Sequence, residues 1–358
     1  MKRRVRGLGL ILLLSLLFAC SPPPTATPLS TSVPARDRLR LFLVNSYGED
    51  DFWAQQVRTG ILETLARGGY ASVDGTLEME TFYMDVRQVS AIDQATPAAL
   101  RAVERLVEFE PDIVIVSGDE ATRTIIPLYF DPTLPFIFCG VSNTRSLEGV
   151  EHAHVTGILE SLHPVQTVAL AYALVEGAQQ YMVLGDGSIS GRSRALSAYG
   201  ALLQSEYGTP APRFRMAPTW AQWQKTVLED AREVDFILLA SHQGVTDAAG
   251  RLIDEKEVIT WMLENSPVPV FALTNIAIIN GAVGGLVSYG YEEGVAVAEV
   301  VLRLAAGERP ADIPIHQPAR NLLAINLAAA RHWNLRIPIT FPIAARIYGT
   351  LSTAQGGQ

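Results

Sequence analysis

The sequence predicts an α/β protein of two lobes, each built on a mostly parallel β-sheet. From Asp37 to about Gly349, short apolar runs alternate with longer segments of helical periodicity, which is the pattern of repeated βαβ units. One of these runs, 113–116, is apolar at every position, as is typical of a central parallel strand covered by helices on both faces. The whole stretch is long enough for two domains of ordinary size.

The individual elements are placed by following this alternation along the chain. In the first predicted helix, Trp53, Val57, Ile61 and Leu65 recur at every fourth position and form one apolar stripe, which indicates core packing. The predicted strands are the short apolar runs 39–44, 78–84, 113–116, 136–138, 155–158, 181–184, 236–240, 268–272 and 283–287. The predicted helices are the periodic segments between them, 51–67, 98–109, 120–129, 164–176, 191–205, 220–232, 246–264 and 292–306.

The first forty residues have the composition of an export signal followed by a spacer. Four basic residues precede an apolar run over 8–19 that is too short to span a membrane comfortably. Ala19 and Cys20 end this run and resemble the lipobox at which bacterial lipoproteins are cleaved and lipidated; the alternative is an ordinary secretory signal with a chance cysteine. We therefore expect a signal peptide over 1–19, lipidation of Cys20, and a Pro-, Ser- and Thr-rich linker over 20–37 that tethers an extracytoplasmic domain to the membrane.

The charge and the cysteine content restrict the partners and the cross-links of the chain. Loss of residues 1–19 would remove four basic residues and no acid, so the formal net charge would change from −9 to −13. An acidic surface argues against nucleic acid as a partner. With Cys20 lipidated, Cys139 would have no partner for an intramolecular disulfide, and its apolar surroundings favour a buried, unreactive thiol.

Polar residues follow the predicted strands repeatedly, at the points where the strands end. In open α/β sheets, ligands bind outside the carboxyl ends of the strands, where loop backbone and helix N-termini present hydrogen-bond donors. A helix cap or a turn explains any one of these residues equally well, but their recurrence in six loops favours a ligand cleft between two facing lobes. The candidate ligand contacts are Asn45, Ser46, Tyr47, Ser117, Asp119, Ser142, Asn143, Asp186, Ser188, Ser241, His242, Asn275 and Tyr289.

Several segments resemble one family of proteins. The sequence GGLVSYG over 284–290 resembles the last crossover strand of the ABC-transporter substrate-binding family, which includes tryptophan-type and sensor-type members. The sequence AAGERPADIPIHQP over 305–318 resembles the linker of that family, and 323–327 resembles its C-terminal strand. Further matching segments lie upstream, so the resemblance spans about 39–346.

This resemblance implies a fold and a division of the chain. The family has two Rossmann-like lobes of the type I periplasmic-binding kind, joined by three crossovers, and its members capture a small solute for an importer. We accordingly expect the first lobe to comprise 38–160 plus 281–306 and the second lobe 161–280 plus 307–349, followed by a tail over 350–358.

The sequence has no recognisable catalytic or cofactor-binding pattern. Gly185, Asp186 and Gly187, followed by Gly191, approximate a dinucleotide-binding loop, but the spacing is one residue too long. Ile189 stands where a nucleophile elbow requires serine. The six histidines do not have the spacing of metal ligands. We therefore expect no cofactor, no metal and no enzymatic activity.

Together these features predict a lipid-anchored, extracytoplasmic protein that captures a small amino acid-like or other polar or aromatic solute for an ABC permease. Its expected partners are the solute, the permease and, through the lipid, the membrane. Two alternatives remain from the sequence. One is a ligand-sensing module that reports to a separate membrane partner, and the other is an extracytoplasmic α/β hydrolase, because fold alone does not exclude catalysis.

Overall fold

The computed structural model describes residues 37–86, 92–129, 131–142, 147–148, 153–206, 208, 210–338 and 345–349. These residues all lie within a compact unit that runs from Pro34 to Gln358. The expected signal peptide, Cys20, all but the last residue of the linker, Asn143 and the tail 350–358 lie outside the described residues.

The first lobe is built on a five-stranded parallel sheet. Its strands are β1 (Leu39–Asn45), β2 (Leu77–Tyr83), β3 (Ile113–Ser117), β4 (Phe136–Val141) and β5 (Val155–Leu159), and its helices are α1 (Phe52–Arg67), α2 (Ile92–Phe109) and α3 (Asp119–Leu128). The strand order is β2-β1-β3-β4-β5. Ile113 and Ile115 pack into one apolar core, and Val114 and Val116 into a second, because successive residues of a strand point to opposite faces of the sheet.

The second lobe contains a parallel sheet of four strands with the order β7-β6-β8-β9. The strands are β6 (Tyr181–Gly185), β7 (Arg213–Met216), β8 (Phe236–Leu239) and β9 (Val270–Ala272). The helices are α4 (Pro164–Leu174), α5 (Ile189–Leu203), α6 (Trp220–Leu228), α7 (Glu255–Asn265) and α8 (Asn275–Asn280). Beside this sheet, β10 (Gly284–Val287) pairs antiparallel with β11 (Leu322–Asn326), and β11 pairs parallel with β12 (Arg346–Tyr348). Helices α9 (Gly290–Ala305) and α10 (Leu327–His332) precede and follow β11.

The chain passes between the two lobes three times, as expected from the fold. The first passage follows β5, and the second follows β10, because Val287 packs in the core of the second lobe whereas Val297 packs in that of the first. The third lies between Ile313, in the first core, and Ala324, in the second. The expected lobe boundaries at 281 and 307 are therefore wrong: β10 is a strand of the second lobe, and the segment around Ile313 still contacts the first.

Helix α9 is held on the first lobe by an unusually close approach to α1. A Cβ atom on Gly60 would lie 2.2 Å from the carbonyl oxygen of Tyr291, and one on Gly294 would lie 2.1 Å from that of Val57. Only glycine permits this approach, because any larger residue would force the two backbones apart. The connection between β10 and α9 is thus anchored in the second lobe at one end and in the first at the other.

The other differences from the predicted elements concern short or irregular segments. The helix predicted over 246–264 begins only at Glu255, because the Asp247 carboxylate accepts hydrogen bonds from the backbone of Ala249 and Arg251 and forms a turn. The Asp254 side chain then caps the helix. Strands β7 and β12 and helix α8 were not among the predicted elements, since so few residues do not reveal a hydrophobic period.

Candidate ligand-binding site

The ends of β1 and β3 are joined by a buried hydrogen-bond network at the edge of the first lobe. The Ser46 hydroxyl donates to the carbonyl oxygen of Ser117 at 2.8 Å and accepts from the backbone of Ala121 at 2.9 Å. The Asn45 side chain accepts from the backbone of Tyr47 at 2.9 Å. These side chains are almost fully buried, so they fix the loops from which Tyr47 and α3 extend.

Tyr47 and Trp53 form the aromatic wall of the first lobe. Their rings meet edge to face, with centroids 5.9 Å apart. The Trp53 indole also packs against Gly140, where a Cβ atom would lie 2.2 Å from the ring. Burial raises the pKa of the Tyr47 phenol, and the Glu120 carboxylate raises it further, so the hydroxyl stays protonated and can donate a hydrogen bond.

In the second lobe, Asp186 organises the loop that follows β6. Its carboxylate accepts hydrogen bonds from the backbone and the hydroxyl of Ser188 at 2.9 and 2.6 Å, and from the backbone of Gly244 at 3.1 Å. The backbone of Asp186 in turn donates to the Ser241 hydroxyl at 3.0 Å. Ser188 caps α5 by accepting from Gly191. These bonds hold the N-terminus of α5 at the edge of the lobe.

One face of α5 contacts the first lobe directly. Ser190, Arg194 and Ser197 lie at spacings of four and three residues, which places them on the same side of a helix. The Ser190 backbone donates to the Glu120 carboxylate at 3.1 Å, and the Ser197 hydroxyl donates to the carbonyl oxygen of Ser142 at 2.8 Å. The opposite face of α5 packs in the core of the second lobe. The two lobes are therefore closed on each other along this helix.

The central contact between the lobes is an ion pair of Arg194 with Glu160, which follows β5. The Arg194 Nη2 atom lies 3.2 and 3.3 Å from the two carboxylate oxygens, and the side chains are only 12% and 2% exposed. Ser288, in the connection after β10, donates to the same carboxylate at 2.8 Å. Glu160 thus joins both lobes and one of the crossover segments.

A cleft of about 500 Å³, measured with the solvent at its mouth, lies between the lobes around this ion pair. Its first-lobe wall includes Tyr47, Phe52, Trp53 and Glu160, and its second-lobe wall includes Arg194, Gln243 and Asn275. An adjoining space of about 230 Å³ continues along the loop after β6 and includes Asp186, Ser188 and Ser241. Tyr47, Arg194 and Gln243 line both spaces and so join them.

Three buried donor groups of the cleft have no hydrogen-bond partner within the described part of the chain. They are the indole Nε1 of Trp53, the Nε of Arg194 and the side-chain amide Nδ2 of Asn275. Indole and guanidinium nitrogens can only donate. A buried donor without a partner is unfavourable by about 1–3 kcal/mol, so a solute that offers acceptor atoms here gains affinity from each donor that it satisfies.

Glu293, on α9, is a second buried carboxyl beside this cluster. Its side chain accepts from the backbone of Gly140 at 3.2 Å. Burial raises the pKa of the Glu293 carboxyl well above its usual value, and the Glu160 carboxylate raises it further. Burial therefore favours the protonated, neutral form of the Glu293 carboxyl, whereas the Glu160 carboxylate is paired with Arg194.

Replacement of Glu293 by glutamine is expected to reduce the decrease in the free energy of unfolding that accompanies a rise in pH. Below the ordinary glutamate pKa, both the folded and the unfolded chain carry the proton. As the pH rises above about 4.5, the unfolded chain releases the proton while the folded chain retains it, so the free energy of unfolding falls until the raised pKa of the folded state is reached. Urea unfolding from pH 4 to pH 8 should give a smaller decline for Glu293→Gln than for the wild type. The exposed Glu299→Gln on the same helix is the control, and an equal decline in all three proteins would contradict the neutral carboxyl.

In the structure, the residues predicted as ligand contacts fall into three groups: those that line the cleft, those that line the adjoining space, and those that line neither. Tyr47 and Asn275 line the cleft, and Asp186, Ser188 and Ser241 line the adjoining space. The residues that do not line either space are Asn45, Ser46, Ser117, Asp119, Ser142, His242 and Tyr289. Asn143 lies outside the described residues. Glu160, Arg194, Trp53 and Gln243 line the cleft but were not predicted; of these, Arg194 could have been found from the polar face of α5.

Within the residues described, no group of three or more His, Cys, Asp or Glu side chains could hold a metal ion. The same part of the chain contains no helix that is long and apolar enough to cross a membrane.

Solved structures with the same fold include substrate-binding proteins and a putative LacI transcriptional regulator from Bacteroides fragilis. An ABC domain from Streptococcus, solved in complex with L-Trp, is 17% identical, with a TM-score of 0.70, and the match covers 87% of this chain and 99% of that one. A substrate binding protein with adhesive properties from Clostridium difficile is 13% identical, with a TM-score of 0.65 and coverage of 87% and 99%. A periplasmic solute binding protein of an ABC transporter from Actinobacillus succinogenes, with bound D-allose, is 13% identical, with a TM-score of 0.55 and coverage of 83% and 100%.

These similarities establish that the chain has the type I periplasmic-binding fold. No protein-family model matches the chain, and no curated protein matches it.

Proposed function

We propose that the chain is a lipid-anchored, extracytoplasmic solute-binding protein that captures a small solute between its lobes for an ABC permease. The observation that carries this proposal is the cleft itself. Its walls come from both lobes, and it contains three buried donors that the described part of the chain leaves without partners. Closure around a solute would satisfy these donors and remove the solute from water at the same time.

The chemistry of the cleft favours a solute with an oxygen acceptor at one end and an apolar or aromatic body. Arg194 and Asn275 offer donors on the second-lobe wall, and Phe52, Trp53 and Tyr47 offer aromatic surface on the first-lobe wall. An amino acid-like or other small polar, aromatic solute combines these two features. Two proteins with the same fold were solved with L-Trp and with D-allose, which supports a small polar solute as the class.

The proposal includes an anchor and excludes catalysis. The proposed lipidation of Cys20 rests on the apolar run that ends at this residue, and a lipidated protein would lie on the outer side of a membrane.

The proposed absence of enzymatic activity is supported by the roles of the acids in the described residues. Glu160 is paired with Arg194, and the Asp186 carboxylate accepts three hydrogen bonds from Ser188 and Gly244, so both acids have structural roles that do not favour a general base.

Native mass spectrometry of the full chain, released gently from membranes, tests this function. We expect a bound small molecule in the wild type, whose mass identifies the solute class, and lower occupancy in Asn275→Ala, which removes a donor from the cleft. Asn265→Ala, on the exposed end of α7, is the matched control and should retain the solute.

Further measurements separate the components of the proposal. Recovery of a chemically altered solute after incubation would contradict the assignment as a binding protein. Solute uptake by cells with and without the protein distinguishes transport from sensing. Membrane fractionation of Cys20→Ala should find the variant unacylated and no longer anchored; an acylated, anchored variant would contradict the lipid anchor.

A further inference from the structure

The C-terminal strand β12 contacts a residue that lines the cleft but does not itself line the cleft. Tyr348 lies opposite Asn326 in the parallel pairing of β12 with β11. Its hydroxyl donates to the Asn275 Oδ1 atom at 2.9 Å. Tyr348 is not part of the cleft wall, whereas Asn275 is. A side chain at the far end of the chain therefore reaches the candidate binding site through a single intervening amide.

Arg346, on the same strand, lies beside this hydrogen bond. Its guanidinium lies over the Tyr289 ring, 5.1 Å from the centroid, and donates to the Tyr289 hydroxyl at 3.2 Å. The nearby Tyr348 hydroxyl also contributes, after that of Tyr289, to raising the pKa of Arg346. The positive guanidinium favours an orientation in which the Tyr348 oxygen faces it and the hydroxyl proton is directed to Asn275, in agreement with the hydrogen bond to Oδ1.

The direction of this bond fixes which end of the Asn275 amide faces the cleft. An amide has one accepting oxygen and one donating nitrogen, and the oxygen is engaged by Tyr348. The Nδ2 group is then presented to the cleft, where it is buried and without a partner in the residues described. A rotated amide would lose the hydrogen bond that its oxygen accepts from the Tyr348 hydroxyl.

We propose that Arg346 and Tyr348 are positioning residues of the binding site, which hold the Asn275 amide with its NH₂ group toward the solute. This inference rests on the proposed function of the cleft. It gives the site a preference at this point for a solute oxygen that accepts, such as a carboxylate or carbonyl, over a group that donates, such as an ammonium.

The order of the Asn275 side chain tests this proposal without any solute. In the full chain labelled with ¹⁵N-asparagine, the Asn275 NH₂ resonance is assigned by its loss in Asn275→Asp. We expect an order parameter near that of a rigid group, about 0.85, in the wild type and a fall below about 0.6 in Tyr348→Phe, which removes only the hydroxyl. Arg346→Met should lower it as well. The NH₂ group of Asn326, which donates to the carbonyl oxygen of Ile278, is the internal control and should stay ordered in every variant.

An unchanged Asn275 order parameter in both Tyr348→Phe and Arg346→Met would overturn the positioning role. A purely structural role of β12 would instead lower the melting temperature and disorder the Asn326 side chain, with no effect specific to Asn275.

Calorimetry with the twenty common L-amino acids, tried singly, measures the consequence for solute binding. Tyr348→Phe should bind about tenfold more weakly than the wild type. If no amino acid binds even the wild type, the amino acid-like solute class fails, while the order parameters still decide the role of Tyr348.

Discussion

Replacement of Arg194 by alanine is expected to weaken solute binding by about a hundredfold or more, with a smaller effect on unfolding. The change removes a donor from the cleft and leaves the Glu160 carboxylate, 2% exposed, without its cation. Loss of one partner from a buried ion pair typically costs about 3–5 kcal/mol. Glu160 regains water when the lobes separate, so most of this cost falls on closure rather than on folding. A shift of about 3 kcal/mol in closure corresponds to about two orders of magnitude in affinity.

Calorimetry with whichever L-amino acid binds the wild type, together with the radius of gyration from X-ray scattering, measures these two effects. The Arg194→Ala protein should be more expanded than the wild type. The double variant Glu160→Gln with Arg194→Ala should recover part of the closure, because the uncompensated charge is gone. Lys225→Ala, in an exposed pair on α6, is the control for removal of a positive charge. Equal radii and affinities in Arg194→Ala and Lys225→Ala would contradict a role of the ion pair in closure.

Replacement of Phe236 by alanine is expected to cause a large loss of stability and no direct effect on solute binding, the reverse of the result expected for Arg194→Ala. Phe236 is fully buried on β8. Its ring is stacked on Tyr181 at 5.2 Å and meets Tyr172 and Phe271 edge to face. Truncation of a buried aromatic ring costs about 3–5 kcal/mol, since the cluster loses both transfer free energy and packing.

Urea unfolding followed by circular dichroism measures this loss. Phe236→Leu, which keeps most of the volume, should lose less than about 1.5 kcal/mol. The affinity of the folded fraction of Phe236→Ala should match that of the wild type, because Phe236 does not line the cleft. A loss of less than about 1 kcal/mol would mean that the core of the second lobe closes over the deleted ring.

The polar residues at the predicted strand ends illustrate how much of the candidate site can be predicted from the sequence. A polar residue after a strand has two uses that look identical in sequence, because a loop needs the same hydroxyls and carboxylates that a solute needs. Ser46 and Ser117 join two strands, and Asp186 organises a loop, whereas Tyr47 and Asn275 face the cleft. Only the direction of each side chain separates these uses, and that direction depends on residues far away in the chain.

The charged residues of the candidate site show the same limit of prediction from sequence. Arg194 lies in the middle of a helix, and Glu160 follows a strand, 34 positions earlier. Nothing in the local sequence of either residue indicates the other, because their contact requires the lobes to fold and then close. Tyr348 and Asn275, 73 positions apart, meet only because β12 pairs with β11 beside the four-stranded sheet of the second lobe.

The sequence by itself determined the α/β class, because the alternation of apolar runs and helical periods is local and recurs along the chain. The three passages between two lobes followed only from the family resemblance of its segments. The sequence also predicted Tyr47 and Asn275, which follow β1 and β9 and line the cleft, since strand ends converge in parallel sheets. Only the tertiary structure decided which strand belongs to which lobe. It also decided which acids are paired and which donors face the cleft, because burial and charge pairing depend on distances between segments that the chain brings together from far apart.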